Sequence, residues 1–439
     1  MAEMEDLFAC GRQITGGFPC GLHGKSDCGG AKVRIAIFHN LPSGGAKRAL
    51  YNFVKYLKGA GNQIDVHVPS TADENYLPLK DIVDGFHIYT VQRTVLGLIK
   101  SSVRYVLPPF QSLADLHWTQ KHIAEAINAG PYDVVFSEQD RFTMTPFVLR
   151  YLKKPTLYYC QQPTWVQGLH MPAAALAPSP VPAYKKVWRA YLQARIPKID
   201  RDNVSHAQHI LANSCFSREA ILRAYGLNSF VSYLGIDTAL FRPLALPREN
   251  FVLSVGACVP LKGFDFILRS LRVMDKQSRP KLVIAANAGN PAWEAHLVQM
   301  AARLGVGLEI RKAIPDGELA RLYNVAKVFV YASILEPFGL APVEAMACGT
   351  PVVAVCEGGV RESVIPNETG LLTDRDEVAF AAALSELLPD DRRREHMGSR
   401  GVEVVRNYWT LEHAGARLAS HLHRVVGDAG DLKDMRDGA

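Results

Sequence analysis

The order of a buried strand, a glycine-bearing turn and an amphipathic helix limits this chain more than any other feature, and it occurs in two series. The first opens with "VRIAIFHN" at Val33, followed by "LPSGG" and then "AKRALYNFVKYLKGAG", whose apolar residues recur at helical spacing. Further strand candidates are "QIDVHV", "FHIYTV", "YDVVFSE", "PTLYYC" and "AQHILANS", with helical stretches at "TMTPFVLRYLK" and "SREAILRAYG". Residues 244–250, "LALPREN", interrupt the rhythm, and it resumes with "FVLSVGA". The second series runs "KLVIAAN", "LEIRKAI", "KVFVYAS", "PVVAV" and "TGLLT", with helices at "GFDFILRSLRVM", "WEAHLVQMAARLG" and "DGELARLYNVA". Two α/β, Rossmann-like doubly wound domains are expected, facing each other across a cleft that receives a ligand at the carboxyl ends of the strands.

The expected boundaries are a poorly ordered leader over 1–31, a first domain over 32–243 and a second over 244–400. A helix over 401–426 would cross back to brace the first domain, and 427–439 would be a frayed tail. At 439 residues and 48% apolar content each domain has enough side chains for its own core. The net charge of +6 is spread along the chain, so no nucleic-acid partner is expected. No apolar run reaches the roughly 18 residues that span a bilayer, and a cytoplasmic location is the default expectation. None of the eight cysteines forms a CxxC pair, which fits a reduced protein. Cys10, Cys20, His23 and Cys28 are too irregularly spaced for a zinc knuckle to be favoured over a plain leader.

The stretch "SILEPFGLAPVEAMACGTPVVAV", residues 333–355, carries the chemistry. After the strand "KVFVYAS", Pro337 and Gly339 mark a loop, and Pro342 suits the first turn of a helix that ends near Gly349. Ala341, preceding that proline, has no side-chain oxygen to cap the helix, so the first amides are left for another acceptor. A phosphate answers such amides through both hydrogen bonds and the helix dipole. Taken singly, Glu344 reads as a dipole partner in the first turn and Glu336 as a solvated turn acid. Together, around an uncapped helix start, they fit one ligand with hydroxyls at both ends of a diphosphate.

"EPFGLAPVEAMACGTPVVA" resembles the Glu, seven residues, Glu signature of GT-B glycosyltransferases, in particular the retaining family GT4. "SGGA", "ANSCFSREAILRAYG", "YLGID", "FRP" and "SVGACVPLKGFD" resemble other segments of that family, so the likeness extends from about Val33 to Val425. The resemblance implies a GT-B fold and transfer of a sugar from a UDP- or GDP-linked donor to a hydroxyl acceptor, with no cofactor and no metal. It implies that Glu344 binds the ribose hydroxyls and Glu336 the transferred sugar. Phe338, Gly339, Leu340 and Ala341 would present backbone amides, and Lys262 would neutralise the diphosphate. Gly44 and Gly45 would let the first domain's backbone approach the same ligand.

Three positions depart from the family pattern. Ala257 stands where the family usually has Arg, and Arg311 or Lys312 would have to compensate. Glu138 stands where the family often has His, and is the candidate for that role. Gln161 stands where His is frequent, so Gln161 and Gln162 either contact an acceptor or cap a strand end. The pairs Asp200 with Asp202 and Asp374 with Asp376 have metal-binding spacing, but Asp374 sits where a helix cap is the simpler role. The segment of about 161–200 reads as an insertion packed over the first domain, or as an acceptor lid or interfacial helix that attaches the protein peripherally to a membrane. The second reading rests on Tyr184, Lys185, Lys186, Trp188, Arg189 and Tyr191. An epimerase using the same cleft, and a degenerate nucleotide-binding subunit, are the alternative functions.

Overall fold

The computed structural model describes residues 32–91, 113–163 and 183–437. The leader over 1–31 and most of the Pro- and Ala-rich half of the insertion lie outside them.

The first sheet is parallel, in the order β3-β2-β1-β4-β5-β6-β7. Its strands are β1 (Arg34–Asn40), β2 (Gln63–Pro69), β3 (Gly85–Tyr89), β4 (Val134–Asp140), β5 (Thr156–Cys160), β6 (His209–Ala212) and β7 (Phe230–Val231). The helices of this half are α1 (Gly45–Gly59), α2 (Leu113–Ala129), α3 (Ala183–Val204) and α4 (Cys215–Tyr225). Helices cover both faces, so the side chains of the central strand β1 are apolar on both. On β1, Ile35 and Ile37 join Leu50, Phe53 and Val54 of α1, whereas Ala36 and Phe38 join Ile123 and Ile127 of α2.

The second sheet, also parallel, has the order β10-β9-β8-β11-β12-β13. It comprises β8 (Glu249–Val255), β9 (Lys281–Ala286), β10 (Leu308–Lys312), β11 (Ala326–Tyr331), β12 (Val352–Val355) and β13 (Gly370–Thr373). Its helices are α5 (Phe264–Val273), α6 (Pro291–Leu304), α7 (Asp316–Val325), α8 (Leu340–Ala347), α9 (Val360–Ser363), α10 (Glu377–Leu387) and α11 (Asp391–Tyr408). In both sheets the strand order reverses beside the first strand, at β1/β4 and at β8/β11. Those switch points are where an open α/β sheet leaves a crevice for a ligand.

The last helix, α12 (Leu411–Asp437), returns to pack against α1, β4 and β5 of the first half. The expected single helix over 401–426 is therefore two, broken at Trp409 and Thr410. There Ile236 accepts from Leu411 N–H and donates to the carbonyl of Trp409. Residues 427–437 continue α12 instead of forming a separate tail. "TMTPFVLRYLK" is not a helix but a short 3-10 turn, Phe147–Arg150. Pro146 disfavours helical backbone in the residue before it, and Met144 takes a positive φ of 61°.

Candidate functional site

The loop from β11 to α8 is held from three sides. Leu335 takes φ 47°, a left-handed value that costs a branched side chain energy and is kept by its surroundings. From behind, Gly359 N–H donates to the Glu336 carbonyl at 2.8 Å, and a β-carbon on Gly358 would stand 2.3 Å from that oxygen. From the core side, the ring of Phe338 is buried between Tyr233 and Trp409 at centroid distances of 6.2 and 5.5 Å. Phe338 is therefore an anchor, and only its backbone faces the site. From beside the loop, the Arg375 guanidinium pairs with both oxygens of Glu357 at 2.8 Å and donates to the Ala332 carbonyl.

The helix start differs from the sequence expectation by two residues. Leu340 is the first residue of α8, Gly339 occupies the cap position and Pro342 is the third helical residue. Gly339 has φ 87°, which favours glycine, and a β-carbon there would crowd the Tyr331 hydroxyl at 3.0 Å. No side chain caps α8, as the sequence led one to expect, although the residue that leaves it open is Gly339 and not Ala341. Leu340 and Ala341 are half-buried, with the first-turn amides directed at the cleft end of the helix.

The two glutamates occupy unlike environments. Glu336 is about a third exposed and accepts from Lys262 Nζ at 2.6 Å. Lys262 ends a short turn, Pro260–Lys262, before Gly263, where a β-carbon would fall 2.2 Å from the Ala332 carbonyl oxygen. That contact ties Lys262 to the end of β11. Glu344, by contrast, is buried in the second turn of α8, so it is neither a first-turn dipole partner nor part of a capping box. Tyr323 Oη donates to its Oε2 at 2.7 Å. Burial pushes the Glu344 carboxyl up, against the charge of Arg48 and the Tyr323 hydrogen bond.

Arg48 comes from the opposite half. It lies in α1 just after Gly44 and Gly45 and forms a fork on Asp316, with Nη1 to Oδ2 at 2.9 Å and Nη2 to Oδ1 at 2.6 Å. The rings of Tyr76 and Phe241 flank its guanidinium at 5.7 and 5.9 Å. A β-carbon on Gly45 would stand 3.8 Å from Leu340 Cδ1, so the starts of α1 and α8 meet across the cleft. Around Gly44 nothing lies within 4 Å of such an atom.

Deeper in the first half, polar groups are sealed in. Glu138 at the end of β4 has no exposed surface and accepts from Gln161 Nε2 at 3.2 and 3.3 Å. Burial pushes its carboxyl up to about 8, with the Gln161 hydrogen bond opposing. Asn213 donates to Gln161 Oε1 at 3.4 Å, and neighbouring Ser214 Oγ donates to the Pro337 carbonyl of the glutamate loop at 2.5 Å. Gln162 contributes its carbonyl to Gln139 Nε2. Beneath Gly44, Lys47 is fully buried and contacts His39 and Glu74. Burial brings His39 down to about 4, while Glu74, despite burial, is brought to about 2 by hydrogen bonds from His39 and Lys47.

Several residues singled out in the sequence lie elsewhere. Arg311 pairs with Glu309 and Glu318 on the edge strand of the second sheet, whereas Lys312 pairs with Glu294, whose carboxylate lies close to Cys258, so the charge of Lys312 reaches the residue after Ala257 but is already partnered there. Asp200 accepts from Tyr225 Oη and Thr145 N–H, and Asp202 pairs with Arg150. Asp376, not Asp374, caps a helix, α10, by accepting from Ala379 N–H. Among the described residues no group of three or more His, Cys, Asp or Glu side chains is arranged to hold a metal. The side chains of Tyr184, Lys185, Lys186, Trp188, Arg189 and Tyr191 fall outside what is described, although their backbone belongs to α3. Among the described helices none is long and apolar enough to cross a membrane.

Sequence reasoning missed Arg48, Asp316, Tyr323 and Glu362. Glu362 of α9 accepts from the Cys215 and Phe216 N–H groups at 2.8 and 2.9 Å, and from Tyr233 Oη, thereby docking α4 of the first half on the second. For Glu362 the paired glycines of "EGGVRES" were the available signal.

Residues 237–404 match the family described as Glycosyl transferases group 1, and residues 43–240 match Glycosyltransferase Family 4. The two matches meet at the junction between the sheets. The chain belongs to the GT4-like glycosyltransferases of GT-B fold. Over 230 residues this GT4-like chain is 34% identical to a D-inositol 3-phosphate glycosyltransferase of Thermomonospora curvata, covering 46% of this chain and 53% of that one. It thus spans about half the length of that curated relative. A sucrose-phosphate synthase of Thermosynechococcus elongatus shares the fold at a TM-score of 0.71 and 20% identity, over 90% of this chain and all of that one. Anabaena HepE, crystallised with UDP and glucose, does so at 0.68 and 18%, over 89% of this chain and all of that one.

Proposed function

We propose that this chain is a retaining glycosyltransferase that moves a sugar from a UDP- or GDP-linked donor to a hydroxyl acceptor. The observation that carries the reading is the uncapped start of α8, flanked by Glu336 paired with Lys262 on one side and by Glu344 on the other. The α8 amides and Lys262 receive the diphosphate, Glu344 accepts from the ribose hydroxyls, and Glu336 contacts the sugar whose bond breaks. HepE, crystallised with UDP and glucose, supports a nucleotide donor by analogy of fold.

In this reading the acceptor hydroxyl attacks from the face on which the diphosphate departs. The bond from the anomeric carbon to the phosphate oxygen breaks, the bond to the acceptor oxygen forms, and the leaving phosphate takes the acceptor's proton. The charge that develops on the phosphate is stabilised by Lys262 and the helix start, so orientation and electrostatics supply the rate without a strong protein base. Glu138 has no surface from which to touch an acceptor, so its role on that side is to hold Gln161, whose Nε2 donates to it, in place. The test is a panel of UDP, GDP and ADP sugars, with and without acceptors, followed by nucleotide release. Release that requires an acceptor and is lost in Glu336→Ala supports the reading. Release without acceptor points to epimerase chemistry, and none from any donor overturns an enzymatic role.

A further inference from the structure

A diphosphate at the start of α8 carries about two charges that need partners, and the cations around the cleft are not equally free to supply them. Lys47 is sealed beneath Gly44 with His39 and Glu74. Arg375 is saturated by Glu357 and two backbone carbonyls. Arg311 is engaged by Glu309 on the edge strand, and Lys312, near Cys258, is held by Glu294, whose carboxylate is only 14% exposed. Two cations at the cleft have a different status: Lys262 is held by Glu336, and Arg48 by Asp316, each carboxylate retaining about a third of its side chain exposed. The carboxylate of such a pair is rehydrated at modest cost when a better anion takes its place, whereas the Arg48 side chain, only 13% exposed, needs an anion beside it in either state.

We infer that Arg48 is the second diphosphate cation of the donor site, supplied by the first domain and held by Asp316 until the nucleotide arrives. Three placements carry this. Arg48 follows Gly44 and Gly45 in the first turn of α1, and Gly45 abuts Leu340, the first residue of α8. One turn of helix therefore separates Arg48 from the amides that await the anion. Tyr76 and Phe241 hold its guanidinium between rings, so its direction across the cleft is set before a ligand binds. Its charge also reaches Glu344, so it lies on the nucleotide side of the loop. The planar fork that now engages both oxygens of Asp316 suits two phosphate oxygens equally. Binding the diphosphate would replace one interdomain bond by another, so the cleft stays bridged while its contents change.

This inference rests on the donor reading above, and titration of UDP, GDP, UMP and uridine into the full chain separates the two. Arg48→Ala and Arg48→Gln are expected to weaken the nucleoside diphosphate by about ten- to a hundredfold. Uridine should change by less than about twofold, within the spread of single-site effects, so the preference for UDP over UMP collapses. Asp316→Asn, which frees the guanidinium, should bind the diphosphate at least as tightly as the parent chain. If the parent binds UDP or GDP but both Arg48 variants bind them equally well, the inference alone is overturned. The same follows if Asp316→Asn weakens binding as much as Arg48→Ala, because the pair is then a strut between domains. If the parent binds neither diphosphate, the donor reading falls and takes this inference with it.

Discussion

The two walls of the cleft hold their polar groups in opposite ways. On the second-domain wall, Lys262 and Glu336 sit partly in solvent, each with one short bond to the other. On the first-domain wall, Glu138, Gln161, His39 and Lys47 are buried, with their bonds made inside the chain. A half-exposed pair exchanges partners cheaply, whereas a buried cluster is costly to disturb and takes its ionisation from burial. On the proposed reading the second wall binds the donor, the buried groups of the first wall position it, and Arg48 is the first wall's own contact with the ligand. Glu344 combines the two, being buried like the first wall yet sensing a charge from across the cleft.

The largest effect that would sharpen this contrast belongs to Glu344→Ala. If Glu344 accepts from the ribose hydroxyls as proposed, its loss should weaken nucleotide binding by roughly a hundredfold, read by calorimetry; unchanged affinity breaks the assignment. Next comes Glu336→Ala, expected to lower kcat by on the order of tens-fold while nucleotide affinity stays within about threefold, since the proposed contact is to the sugar. Tyr323→Phe should cost about 1.5–3 kcal/mol of stability in denaturant melts, since it removes the hydrogen bond to a buried carboxylate.

A pH series tests the first wall. The Glu138 carboxyl lies near 8 in the folded chain and near 4.5 when unfolded. Its contribution to stability is therefore complete below about 4.5 and is lost as the pH rises to about 8, where both states are ionised. Glu138→Gln should remove that decline from melts taken between pH 5 and 8. His39 runs the other way. Its imidazole falls from 6.5 to about 4 on folding, so its contribution is present above 6.5 and lost as the pH drops through 4. A decline between pH 5 and 8 that persists in Glu138→Gln would show that Glu138 is not the buried acid responsible.

The alternation of both sheets was legible because the central strands β1, β8, β11 and β12 are apolar on both faces, whereas β2, β3 and β10 alternate with polar residues. The start of α8 was misread because Pro342 suits any position in a first turn, while the deciding constraint, the Tyr331 hydroxyl against Gly339, comes from another strand. Arg48 with Asp316, and Glu362 with the start of α4, join residues far apart in sequence. Their partners appear only once the two sheets face each other. "TMTPFVLRYLK" shows the converse limit: its apolar residues pack as a helix would, yet Pro146 interrupts the backbone.

The junction of Ile236 with Trp409 and Leu411 means that the chain enters and leaves the second domain at neighbouring points. Topologically that domain is a continuous insertion into the first, whose own wall is completed only when α12 arrives after everything else. Two adjacent strands of chain then form the pivot between the halves. Two adjacent crossings resist twisting more than a single linker does, and beyond them Arg48 with Asp316 and Glu362 with the start of α4 tie the two halves together.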